Sequence, residues 1–362
     1  MKIVELRERT VSIAAPMRNA AIAFDAMTAS AVAMVSVRGI TGYAFDSIGR
    51  YGKGALLGER FFPRLLGRSF VDSAGLIDPP ACARAAMADE KPGGHGERPG
   101  AIGLIEAAAW DLRAKTQGVP LWRSIADYYG EQGSSTISVY ASCGHFRDDS
   151  ALIDEVRTAV DLGYRTVKIK ALGNDEDLRR IERVAHLALL AVDLNGAETG
   201  DEWFRRAAPF HFAWVEEPAP PLDYERLRGV VEISPLPLAT GENLFSYDDA
   251  RNLLRYGGLR PERDFLQVDP LLAYGVDEYV RILGLYAAWP RRQFLPHAGH
   301  LFAAHCVAAF GLGMAEAAPD ASLIYGGYWD GVRVEAGRVK IPDLPGAGFE
   351  AKANLFAVLE NT

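Results

Sequence analysis

Ionisable residues recur at the ends of short apolar runs along the second half of this chain. Lys170 ends TVKIK, Asp193 ends LLAVD, and Glu216 lies in FAWVEEP. Glu242 follows in PLATGEN, Asp269 in FLQVDP, His297 in QFLPHA and Glu316 in GMAEA. Their successive separations are 23, 23, 26, 27, 28 and 19 residues. Such groups would converge around one mouth of a parallel barrel, where strand ends and the loops after them carry catalytic chemistry. Asp193, Glu216 and Glu242, on successive strands, are suited to a hard divalent cation such as Mg²⁺, which prefers oxygen ligands and keeps positions open for water and substrate. The plainer reading of each carboxylate is a cap on the helix that follows its strand.

Lysine is scarce, with eight against 31 arginines, yet Lys168 and Lys170 lie two apart. Strand alternation puts both on one face with Thr166, and Val167, Ile169 and Ala171 on the other. By the same parity Gln267 shares a face with Asp269, and Asn195 with Asp193. In WVEEP, parity leaves Glu216 and Glu217 as alternatives, with Trp214 on the face of Glu216.

The stretch LPHAGHLFAAH (295–305) holds His297, His300 and His305, three of the seven histidines. They could be metal ligands, acid/base groups or structural residues at a helix end. A zinc hydrolase on such a barrel would want His-x-His on the first strand, but VYASC has no histidine and His145 stands alone after it; zinc sites of that kind are rich in nitrogen ligands. His186 and His211 read as surface or packing residues, and Cys306 as buried packing. His95 neighbours Lys91 in the loop DEKPGGHGERPG.

The elements that must position these groups can be read from periodicity and breakers. VELRERTVSI and TASAVAMVSVRGITGYAF read as strands with turns, followed by the Gly-rich SIGRYGKGALLGER. Residues 76–130 read as helices. The clearest is AIGLIEAAAWDLRAKTQGVPLW, with Ile105, Ala108, Trp110 and Leu112 on or near one face, and Gly118 and Pro120 to stop it. From about residue 136, eight short strands alternate with helical segments such as DDSALIDEVRTAVDLG, which points to a parallel sheet closed as a barrel. The tail VKIPDLPGAGFEAKANLFAVLE is expected to pack back on the N-terminal region.

Composition narrows the classes. Apolar residues make up 49% of the 362, ample for a core. No run approaches the roughly 20 apolar residues of a membrane span, and MKIVELRERT lacks the apolar region of a signal peptide. Three distant cysteines without a CxxC argue against a disulfide or zinc scaffold and fit a reducing cytoplasm. A net charge of −8 without a basic run argues against nucleic acid as partner. A metal and a few lysines can still attract a small anion.

With these residues in place, the chain resembles the enolase superfamily in its mandelate racemase/muconate lactonizing enzyme branch. The pattern is Lys168-Ile169-Lys170 on the second barrel strand, carboxylates on the third to fifth, Asp269 on the sixth and His297 on the seventh. The resemblance spans nearly the whole chain. It implies an α/β fold: a modified TIM barrel, (β/α)7β, at 133–340, an N-terminal α+β capping domain at 1–132, and a segment at 341–362 returning to the cap. EKPGGHGER (90–98), ATGENLFSYDDARNLLRYGG (239–258), IPDLPGAGFEAK (341–352), PMRN (16–19) and GRYGKG (49–54) resemble the D-tartrate dehydratases. VYASCGHFRDDS and the region after Asn195 are shorter than that pattern.

The resemblance implies a Mg²⁺-dependent lyase acting on a 2,3-dihydroxy acid such as D-tartrate or a related sugar acid. Asp193, Glu216 and Glu242 would hold Mg²⁺. Lys170 would abstract the α-proton, its pKa lowered by Lys168 and the metal. The metal and Lys168 would stabilise the enediolate. His297, held by Asp269, would protonate the departing β-hydroxyl, leaving an enol that becomes a keto acid. Lys91, Glu316, Asn19, Asn195 and His300 would contact substrate. The same site could racemise or epimerise a hydroxy acid, and a barrel that had lost catalysis would serve as a binding protein. A small anionic hydroxy acid is the expected partner, in a homo-oligomer without nucleic acid or membrane.

Overall fold

The computed structural model describes residues 1–13, 26–48, 51–91, 97–143, 149–197 and 199–362. It opens with an antiparallel sheet of β1 (Ile3–Ser12), β2 (Thr28–Ser36) and β3 (Thr41–Phe45), in that order. Helices α1 (Pro79–Ala86), α2 (Arg98–Gln117) and α3 (Leu121–Tyr129) follow. As expected, α2 ends at Gly118 in the left-handed region, and Pro120 precedes α3.

Ile105, Ala108, Trp110 and Leu112 of α2 are buried, and so is every other residue from Pro99 to Ala114. One side lies on the sheet, so closely that a Cβ on Gly42 would sit 2.2 Å from Ala108 O. The other side meets the barrel, where a Cβ on Gly103 would sit 1.7 Å from Leu271 O. A helix wedged between two layers is largely apolar or small all round, which Ala and Gly supply here, while the buried Glu106, Asp111 and Arg113 are each paired.

The barrel strands are β4 (Thr136–Ser142), β5 (Thr166–Lys170), β6 (Leu189–Asp193), β7 (Val215–Glu216), β8 (Leu238–Thr240), β9 (Phe265–Leu266) and β10 (Met314–Ala317). Neighbours pair in parallel in the order β10-β4-β5-β6-β7-β8-β9. Between them run α4 (Asp149–Asp161), α5 (Asp175–Val184), α6 (Asp201–Ala207), α7 (Tyr224–Ile233), α8 (Tyr247–Tyr256), α9 (Val276–Leu285) and α10 (Leu301–Phe310). Capping signals readable in the sequence start several helices: Asn174 forms a capping box on α5, Asp223 caps α7, and Ser246 caps α8.

The gap between β9 and β10 is closed by the stretch expected to be a full strand, QFLPHA. It is reduced to a bridge. Phe294 pairs with Leu266 in parallel, Leu295 N donates to Leu266 O at 2.8 Å, and Gly313 N donates to Phe294 O at 2.9 Å. Pro296 has no N–H to extend a ladder, and Ala298 turns the chain with φ 93°. Inside the ring, Tyr140, Ala191, Trp214, Ala239 and Leu295 pack as a small separate apolar layer. On β6 and β7 this layer lies one pleat before the carboxylates Asp193 and Glu216, which alternation of side chains requires.

After the barrel, β11 (Arg338–Lys340) pairs antiparallel with β4, and α11 (Ala353–Leu359) packs on β2 and β3. Asp111 of α2 fastens this return by accepting from Tyr43 N at 2.8 Å and Ala347 N at 2.7 Å. The three cysteines are buried and free. No helix among the described residues is long and apolar enough to cross a membrane.

Candidate active site

The strand ends bring the expected carboxylates together. One oxygen from each of Asp193, Glu216 and Glu242 falls within 4.8 Å of the others, and all three residues are buried. Parity left the β7 glutamate open; the fold turns Glu216 inward, where its Oε2 accepts from Trp214 Nε1 at 2.9 Å and Gln267 Nε2 at 2.7 Å. Glu216 Oε1 accepts from Lys168 Nζ at 2.6 Å. Glu217 is also buried, with φ 40°, and its Oε1 takes the Asn243 amide at 2.7 Å. Three converging carboxylates with only oxygen donors fit a hard divalent cation.

Both lysines enter the barrel, as alternation required. Lys168, 1% exposed, also pairs with Glu316 Oε1 at 3.0 Å and lies 3.7 Å from Asp193 Oδ2. Its ammonium is 5.8 Å from the Tyr140 ring centroid. Lys170 Nζ pairs with Asp193 Oδ2. The lowering of the Lys170 pKa expected from Lys168 and a bound cation is opposed by this contact. Burial is the largest influence and pushes the amine down, with Lys168 adding to it, but Asp193, Glu216 and Glu242 together outweigh both, so the Lys170 pKa lies above its ordinary value.

The carboxylates divide. Burial drives Glu216 up to about 7 despite Lys168. Asp193 is lowered, because Lys170 and Lys168 outweigh its burial. Glu316 is lowered against its burial by Lys168 and His297.

Across the cluster, His297 Nε2 lies 3.3 Å from Glu242 Oε2, and its Nδ1 lies 3.8 Å from Asp269 Oδ2. Burial lowers the imidazole pKa, but Glu242, Asp269 and Glu316 more than compensate, so it lies above its ordinary value. Asp269 is itself driven down, against its burial, by His297 and His300.

The three histidines of 295–305 separate here. His300 caps α10: its Nδ1 accepts from Ala303 N at 3.0 Å, so the ring proton is on Nε2, 3.5 Å from Asp269 Oδ1. His305 is structural, as expected of its place along the helix. It accepts from Trp122 N at 3.1 Å, faces Ala347 O at 3.1 Å, and burial lowers it to about 4.

The expected substrate contacts fare unevenly. Glu316 joins the cluster through Lys168 and also accepts from Ala298 N at 3.2 Å. Asn195 N donates to Asp193 Oδ1 at 2.8 Å, and its buried side-chain Oδ1 has no hydrogen-bond partner. Lys91 is exposed, its carbonyl accepts from Arg98, and residues 92–96 that follow it lie outside the described residues. Asn19, His95 and His145 lie outside the described residues.

Ser47 was not foreseen: its hydroxyl donates to Asp269 Oδ2 at 2.5 Å across 222 residues of sequence, and no local pattern marks it. Trp214 and Gln267, placed by alternation on the faces of Glu216 and Asp269, both donate to Glu216 Oε2.

The comparisons with known proteins agree with this geometry. The enolase C-terminal domain-like family matches residues 151–355, more than half of the chain. The L-talarate/galactarate dehydratase of Salmonella typhimurium is 29% identical over 224 residues, covering 59% of this chain and 54% of that protein. The 3,6-anhydro-alpha-L-galactonate cycloisomerase of Streptomyces coelicolor is 32% identical over 186 residues, covering 48% and 49%. The chain thus spans about half the length of these curated relatives. A racemase from Streptomyces coelicolor A3(2), solved with bound magnesium, shares the fold with a TM-score of 0.78 at 24% identity, covering 98% of this chain and 99% of that one. The chain belongs to the enolase superfamily, with a C-terminal domain of the mandelate racemase/muconate lactonizing enzyme type.

Proposed function

We propose that this chain is a Mg²⁺-dependent dehydratase of a 2,3-dihydroxy acid, a sugar acid such as D-tartrate or a longer diacid. The observation that carries the reading is the placement of Lys170 and His297 on opposite edges of the carboxylate cluster, one at Asp193 and the other at Glu242. A small acid whose carboxylate rested on the cluster would lie between an amine and an imidazole. The relatives support the class of substrate and metal: one is named for talarate and galactarate dehydration, and one was solved with magnesium.

Asp193, Glu216 and Glu242 would hold the ion, which supplies positive charge next to the substrate carboxylate. Lys170 then takes the α-proton and becomes an ammonium, so it must begin as the neutral amine. Recruitment of Asp193 to a cation would release the contact that now keeps Lys170 charged, and Lys168 disfavours a second charge beside it. His297 Nε2 gives its proton to the β-hydroxyl. The C–O electron pair leaves with the oxygen as water, and the imidazole ends neutral. The enol so formed tautomerises to a keto acid. Asp269 keeps the ring charged until that transfer. Asn195 and Glu316, flanking the two reactive groups, are the substrate contacts we assign. In this reading 1–132 caps the barrel of 133–340, and 341–362 ties the two.

The test is a panel of tartrate isomers, galactarate, talarate and glucarate with Mg²⁺, scoring keto acid and, separately, α-proton exchange in deuterated water. Keto acid from at least one substrate is expected. Full turnover by Lys170→Ala, or restoration of EDTA-stripped protein by Zn²⁺ and not Mg²⁺, would overturn the reading. The same flanking pair could also epimerise; exchange with an inverted product and no keto acid would select that reaction, and a relative named a racemase keeps it in view.

A further inference from the structure

The two oxygens of Asp269 are held differently. Oδ1 accepts from Leu271 N at 2.7 Å and Leu272 N at 3.3 Å, within its own loop, and faces His300 Nε2. Oδ2, which faces His297 Nδ1, takes its short hydrogen bond from Ser47 at 2.5 Å. Both residues are fully buried, so bulk water does not offer a ready substitute for the hydroxyl. Ser47 comes from the segment that leaves β3 of the N-terminal sheet, not from the barrel.

That segment is itself tied in place. Ser47 N donates to Asp46 Oδ1 at 2.9 Å, and Asp46 Oδ2 pairs with Lys53 Nζ at 2.6 Å, both side chains having no exposure. Tyr325, beyond β10, donates its hydroxyl to Asp46 O at 3.1 Å. A buried ion pair contributes little net stability once desolvation is counted, and its attested use is to fix one arrangement. Here the arrangement fixed is the position of the Ser47 hydroxyl.

We propose that Ser47 is a positioning residue supplied by the N-terminal unit, which orients the Asp269 carboxylate and, through it, the His297 ring. Its short, charge-assisted bond occupies the oxygen facing His297. The carboxylate is thereby kept from rotating onto the imidazole, and Nε2 stays directed at the substrate space. The inference rests on the reading of His297 as the acid. Lys170 stands outside this network, so the base and acid steps should respond differently to loss of the hydroxyl.

The experiment compares Ser47→Ala, Ser47→Thr and the parent as full chains. With ¹⁵N-labelled histidine, at one fixed pH and without substrate, Ser47→Ala should move the ring-nitrogen resonances of His297, assigned through His297→Asn. Keto-acid kcat should fall about 10- to 100-fold, the scale of a misplacement of roughly 1 Å. KM and α-proton exchange should stay near parental values, and Ser47→Thr should restore kcat. Unmoved His297 resonances in Ser47→Ala, or parallel losses of exchange and keto acid, would overturn the proposal. Should the parent turn over no sugar acid, the functional reading fails and the resonances alone judge Ser47. If Ser47→Ala does not fold, Ser47→Cys, a weaker donor, is read by the same spectra.

Discussion

Gln267→Leu isolates how the barrel floor prepares the cation site. Gln267 Nε2 donates to Glu216 Oε2 at 2.7 Å, beside Trp214 Nε1 at 2.9 Å, so this oxygen is saturated from below. Glu216 Oε1, now on Lys168 at 2.6 Å, is the oxygen left to face an ion. A hydrogen bond to a charged group contributes about 1.5–3 kcal/mol. Loss of a residue that orients a metal ligand typically weakens metal affinity about 10- to 100-fold, an energy of the same size. Folding should suffer less. Leucine fills a similar volume, and the substitution also removes Gln267 Oε1, which is buried without a hydrogen-bond partner. The two effects oppose each other, leaving a stability change below about 1.5 kcal/mol. Calorimetric titration with Mg²⁺ or Mn²⁺ at pH 8 is the assay, with denaturant unfolding alongside. Gln293→Leu is the control, since Gln293 is equally buried but donates to Asp264 O, away from the carboxylates. A Kd for Gln267→Leu within threefold of the parent would refute the argument that the floor orients Glu216.

Other outcomes follow from the same geometry. Metal must displace any proton on Glu216, whose pKa is pushed up to about 7, so Mg²⁺ affinity should fall about tenfold from pH 8 to pH 6, read by the same titration; a flat profile would contradict it. Glu106 of α2 accepts from the Val276 and Asp277 amides at the start of α9, and burial raises it to about 8. A raised carboxylate favours the fold most below its unfolded pKa, and that contribution is lost as pH rises toward 8. Glu106→Gln should therefore gain stability relative to the parent between pH 5 and pH 8, by roughly 3.5 kcal/mol, measured by unfolding at both pH values. Gly103→Ala would force a methyl to within 1.7 Å of Leu271 O and should destabilise the seam by about 3 kcal/mol in denaturant unfolding. His305→Ala strips the Trp122 amide of its acceptor and opens a cavity, so the Tm should fall for a loss of about 2–4 kcal/mol while Mg²⁺ affinity holds.

Much of the cluster was legible because it is a property of single strands. Side chains alternate, so Lys168 and Lys170 had to share a face, and a repeat near 25 residues had to return the chain to the same end of a barrel. Where alternation was ambiguous, packing decided. Glu216 faces inward because Trp214, two residues earlier, fills the floor against Tyr140, with ring centroids 5.0 Å apart. The expected seventh strand shrank to a bridge because Pro296 cannot extend a ladder, yet His297 still reached the mouth. The burial of α2 all round was not legible, since periodicity on one face cannot report a second layer arriving from elsewhere.

The ionisable types, their spacing and their strand faces were determined by the sequence itself, since alternation and recurrence are local. Which lysine each carboxylate meets, the pairing of Lys170 with Asp193, the different surroundings of His297, His300 and His305, and the hydroxyl of Ser47 on Asp269 were decided by tertiary structure. Each depends on groups tens to hundreds of residues apart being buried together, where removal of water and the nearest opposite charge set the protonation and the aim of every side chain.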